Sequence, residues 1–165
     1  MNLRNLLSIY QVGFGVVGIG MLAFLVLPQI LSASAKITPD TQSNFLFAVG
    51  VFVFALIFYI LAILAGILLW RKFRAGKTLC ILLEIIQVPV FIVAGVQYYF
   101  SLGLSLNVYM ALVNASSVFR LQFFPGPQAS FSIGESTGFL VGLNISAIIL
   151  LTLLLWLKED VVIRQ

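Results

Sequence analysis

Glu84 is the one acidic side chain deep inside an apolar stretch of this chain. Gln87 follows three residues later and Cys80 precedes by four, so a helix there lines all three along one face. Gln11 in the first apolar stretch and Thr152 in the last fall at similar depth, which makes Glu84, Gln87, Gln11 and Thr152 a candidate intramembrane polar site. No Lys or Arg lies within those stretches to pair with the carboxyl, and an unpaired charge in hydrocarbon is costly, so the neutral acid is favoured. Such a group suits a proton-coupled carrier. It also suits a fastener, hydrogen-bonded to Gln87, Gln11 or a partner helix, and that is the expected role; Asn144 reads the same way.

Catalysis has no comparable footing. The chain has no His and a single Cys, which removes the commonest general base and metal ligand together with any thiolate cluster. One buried acid makes no carboxylate pair. Gly13, Gly15 and Gly18 fit the spacing of a dinucleotide-binding loop, yet they follow no strand and lie inside an apolar helix, so they hold no phosphate. We therefore expect no enzyme, no metal and no cofactor. Cys80 can form no internal disulfide and reads as a small apolar filler.

The segments that must position these side chains are built for lipid. Hydrophobic residues make up 62% of the chain and charged ones 8%, against roughly 45–50% and about 25% in soluble domains. Four stretches, residues 6–31, 45–70, 78–98 and 137–157, are long enough to cross a hydrocarbon core of about 30 Å at roughly 1.5 Å per residue. The expected fold is a single all-α integral membrane domain over residues 1–165: a four-transmembrane-helix antiparallel bundle. A small extracytoplasmic β-rich insertion, two- or three-stranded, is expected between the third and fourth helices.

Basic residues orient that bundle, because they stay on the cytoplasmic side of span ends. Arg71, Lys72, Arg74 and Lys77 crowd the second link, and Arg4, Lys158 and Arg164 flank the termini on the same side; only Lys36 and Arg120 fall opposite. Both termini are expected in the cytoplasm. Compact loops and the absence of disulfides lean to a bacterial cytoplasmic membrane. The net charge of +4 follows from these topology signals, so membrane lipid is an expected partner and nucleic acid is not.

The outer loop, residues 99–136, alternates apolar and polar residues from Phe100 to Val108, again from Phe119 to Phe123, and again from Ala129 to Ile133. That period specifies half-buried strands. Pro125, Gly126 and Pro127 mark a tight reversal between the last two runs, which predicts a hairpin. This loop either packs as a lid on its own bundle or, through its open strand edges, is a candidate docking surface with Phe119, Arg120, Phe123, Pro125 and Phe131. Asn114-Ala115-Ser116 matches a glycosylation sequon, which we read as chance.

Small residues supply packing seams. Gly134, Gly138, Gly142 and Ser146 recur every four positions and predict a thin face on the fourth helix, while glycines of the first stretch and Ala62 with Gly66 of the second predict close helix packing. The expected function is that of a non-catalytic multi-pass membrane subunit. It would associate with other membrane protein subunits, or with copies of itself, through the outer loop and these helix faces. A small transporter or channel using Glu84 is the alternative.

Overall fold

The computed structural model describes residues 2–35, 42–94, 96–113, 116–133 and 139–157. Two long apolar helical segments hold. The first combines α1 (Leu3–Met21), a π-helical stretch (Leu22–Val26) and α2 (Leu27–Ser34); the looser π turn lies directly ahead of Pro28, which has no N–H to give. The second is α3 (Gln42–Trp70). Leu3–Ser34 and Phe45–Trp70 are each long and apolar enough to cross a membrane, with mean hydropathies of 2.2 and 3.0. Their outward faces carry exposed Val16, Phe24, Val53, Ile57, Ile60 and Leu64, the reverse of a helix that packs in water.

The four-helix all-α bundle expected from hydropathy does not form. Residues 78–98 are not one span: α4 (Arg74–Gln87) stops short, and β1 (Pro89–Val93) and β2 (Val96–Ser101) follow. Pro89 ends the helix because it has no N–H for the carbonyl of Ile85, and the residues beyond it are mostly β-branched or aromatic. Residues 137–157 divide likewise into β6 (Phe139–Asn144) and the short helix α5 (Ile145–Trp156). Asn144 is the N-cap of α5, its Oδ1 accepting from the backbone N–H of Ala147 at 3.3 Å. It is not an interhelical residue.

Between β2 and β6 lie β3 (Leu104–Val113), β4 (Ser116–Pro125) and β5 (Gln128–Ile133). The result is one antiparallel sheet of six strands in the order β4-β3-β6-β1-β2-β5, not an insertion of two or three. The expected β4–β5 hairpin does not appear among the described residues: β4 pairs with β3, β5 pairs with β2, and the two stand at opposite ends of the strand order. Pro125 has no N–H with which to close a hairpin against Gln128.

This order forces the sheet to roll. Flat, six strands would hold their edges about 24 Å apart at about 4.8 Å per strand, whereas the Gly126–Pro127 link lets Pro125 and Gln128 lie at most about 11 Å apart. Leu102–Gly103 makes an equally short link from β2 to β3, which β6 and β1 separate. The strands are thus cinched at the end nearest the helices. Across the hollow so formed, the rings of Tyr99 on β2 and Phe124 on β4 come within 5.7 Å of each other.

Close packing joins the long helices. A Cβ on Gly18 would lie 2.5 Å from the Tyr59 ring, and one on Gly66 would lie 2.9 Å from the carbonyl oxygen of Ser8, so α1 and α3 approach through these positions as the small residues predict. Phe100, on the outer face of β2, is buried against Phe54, Phe58 and Tyr59 of α3 and ties the sheet to the bundle.

Candidate functional site

Three of the four polar residues singled out in the sequence meet. Gln11 of α1 donates from Nε2 to Glu84 Oε1 of α4 at 2.7 Å, and Gln87 Nε2 donates to Glu84 Oε2 at 3.2 Å. Gln87 Oε1 then accepts the backbone N–H of Leu102 at 2.7 Å, so one chain of hydrogen bonds links α1, α4 and the β2–β3 connection. All three side chains are buried. Thr152 is not among them: it is exposed on α5 and bonds the carbonyl of Ile148 one turn back. Helical period brought Glu84 and Gln87 to one face, but α5 packs on α4 with Thr152 turned outward.

The broken end of α4 is finished by the sheet. Val88 N–H bonds the carbonyl of Ile85 at 3.2 Å, the Tyr98 hydroxyl donates to that of Ile86 at 2.7 Å, and Asn144 N–H bonds that of Val88 at 2.9 Å. A helix end in an apolar interior must have its free carbonyls met in this way. On the opposite side of the molecule, Lys77 donates to the carbonyl of Leu157 at 2.9 Å, bringing the basic α3–α4 link beside the C-terminal end of α5.

The rolled sheet is apolar without, and within it mixes polar side chains with Val90, Ile92, Phe124 and Leu140. Inside, Ser101, Ser105, Asn107 and Asn144 are buried at the cinched end, Asn107 donates to the Tyr99 hydroxyl at 3.3 Å, and Tyr99 also pairs with Ser105. Above them lies a hollow of about 160 Å³ bordered by Gln97, Tyr99, Asn107, Tyr109, Gln122 and Phe124, among others. Asn107 Oδ1 and Asn144 Nδ2 have no hydrogen-bond partner although both are buried and their residues pair across β3 and β6, and Gln11 Oε1 in the Glu84 cluster is likewise unmet. Outside, β4 displays Phe119, Leu121 and Phe123 at 74%, 68% and 59% exposure, continued on β6 by Val141 and Leu143. Sequence alternation signalled Asn107 and Ser105; nothing in the sequence marked Tyr98 or Tyr99 as their neighbours' partners.

Comparison with known proteins finds no matching family model, no similar curated protein and no similar solved structure. The site therefore rests on its own geometry. Of the docking residues, Phe119, Arg120 and Phe123 are exposed on β4, Pro125 ends that strand, and Phe131 lies in β5 with its backbone paired to Tyr98. The small-residue stripe is not a helix face. Gly142 sits in β6, where a Cβ would lie 2.4 Å from that of Tyr109; Ser146 opens α5 and accepts the Leu106 N–H; Gly134 and Gly138 lie outside the described residues. Lys36, Asn114, Ala115, Lys158 and Arg164 lie outside them as well. Among the described residues, no three His, Cys, Asp or Glu side chains gather to hold a metal.

Proposed function

We propose that this protein is a non-catalytic membrane subunit that joins another membrane protein by pairing with the open edges of its rolled sheet. The observation that carries the reading is the seam. β4 and β5 are drawn together at Gly126–Pro127, yet among the described residues no strand pairs with the outer edge of either. Unpaired strand edges accept a further strand in water and cannot be left bare in lipid. In this reading Leu3–Ser34 and Phe45–Trp70 span the bilayer, the side bearing Arg4, Arg71, Lys72, Arg74 and Lys77 is cytoplasmic, and the sheet lies toward the outer side of a bacterial cytoplasmic membrane. We prefer it to a transporter working through Glu84, because both carboxyl oxygens there are engaged within the bundle.

Purification from native membranes in mild detergent tests the proposal. A stoichiometric second membrane protein is expected. Proline scanned through residues 118–123 should then separate fold from docking, since at alternate positions the replaced N–H points away from β3. Variants that keep the fold are expected to release the partner; retention of the partner by all of them would overturn edge pairing.

A further inference from the structure

We infer that the exposed apolar face of the rolled sheet, formed by Phe119, Leu121 and Phe123 of β4 with Val141 and Leu143 of β6, contacts lipid acyl chains in the outer leaflet. The inference rests on the membrane placement above and adds what covers this face.

Depth is the first argument. Gly103, at the cinched end of the sheet, packs against the Tyr10 hydroxyl and the Phe14 ring of α1. Counted from Leu3, those residues stand about 10 and 16 Å above the basic side at roughly 1.5 Å per residue, near the middle of a hydrocarbon core about 30 Å thick. The short helices agree. With 14 residues in α4 and 12 in α5, each climbs only about 20 Å before handing over to a strand. From Pro125 up to Phe119, β4 rises at most about 20 Å at roughly 3.3 Å per residue, or about 14 Å at a 45° tilt. Phe123, Leu121 and Phe119 therefore occupy the outer half of the core, and the polar Ser116 and Ser117 come at its boundary.

The second argument is the inversion of the sheet. In water an antiparallel sheet turns polar residues outward and buries its apolar face. Here the buried polar residues Ser105, Asn107 and Asn144 lie inside beside a few apolar ones such as Val90 and Leu140. The outer face of β4 and β6 carries apolar side chains at alternate positions, the outward pattern of strands in a bilayer. The outer surface is also of one kind throughout. At Phe100 it is covered by α3; at β4 and β6 no described residue covers Phe119, Leu121, Phe123, Val141 or Leu143, and the long helices likewise expose Val, Ile, Leu and Phe.

Spin-label accessibility in vesicles of phosphatidylcholine with phosphatidylglycerol distinguishes lipid from its alternatives. Single cysteines at 119, 121 and 123 are compared with Ile60→Cys on α3 and Lys72→Cys on the basic link, in a Cys80→Ala background. Should that background not insert, Cys80 is kept, since it is wholly buried. Labels on β4 are expected to show the several-fold excess of oxygen over nickel-chelate collision that Ile60→Cys shows. Nickel accessibility matching that of Lys72→Cys would overturn the inference in favour of water, and protection from both reagents would overturn it in favour of a covering protein. If Ile60→Cys is itself water-accessible, the membrane placement fails, and this inference with it.

Discussion

Two buried polar clusters lie one above the other in this molecule, and they are finished differently. The lower, Gln11–Glu84–Gln87–Leu102, ties three separate pieces of chain and leaves both carboxyl oxygens bonded, with one unmet acceptor at Gln11 Oε1. The upper, inside the sheet, has room above it and retains an unmet acceptor on Asn107 and an unmet donor on Asn144. A cluster whose bonds join separate elements resists change because each bond holds two pieces of chain in place; a cluster beside a hollow, within one sheet, has less to lose. The first is therefore a fastener, while the second is an interior held open by the roll of the sheet.

Substitutions can break that contrast. The largest effect is expected for Glu84→Ala, which leaves a cavity and strands Gln11, while Gln87 keeps its bonds to Leu83 and Leu102: about 3–5 kcal/mol of stability by denaturant titration in detergent. Gly142→Val should follow at about 1–3 kcal/mol, since its side chain meets Tyr109 across the strand pair. Tyr98→Phe, which removes only the hydroxyl capping Ile86, is expected to cost about 1–2 kcal/mol and to fray the end of α4 in amide exchange. Asn107→Ala removes one hydrogen bond but also an unmet acceptor, so a loss below about 1 kcal/mol is expected; a loss matching that of Glu84→Ala would erase the distinction between the clusters. Thr152→Val should stay within about 0.5 kcal/mol of wild type, because the side chain bonds only its own helix.

Much of the lower cluster was legible. The helical period of residues 80, 84 and 87 put Glu84 and Gln87 on one face, and a depth count from the span ends brought Gln11 level with them. The same count misplaced Thr152, because depth says nothing about rotation around a helix axis. The strands at 104–108, 119–123 and 129–133 were equally legible from alternation. Those at 89–93 and 139–144 were hidden inside apolar runs, where hydropathy sums over a window and cannot tell a helix from a strand; only Pro89 marked the break.

By itself the sequence determined the two long apolar helices, the cluster of basic residues at the α3–α4 link and the residues able to bond Glu84, because each depends on local composition or on spacing within one segment. Strand order was decided only by the tertiary structure. Pairing β4 with β3 and β5 with β2 depends on backbone groups far apart in the chain, and on two-residue links too short to let the sheet lie flat. That roll turned an expected hairpin into the two facing edges of one open sheet.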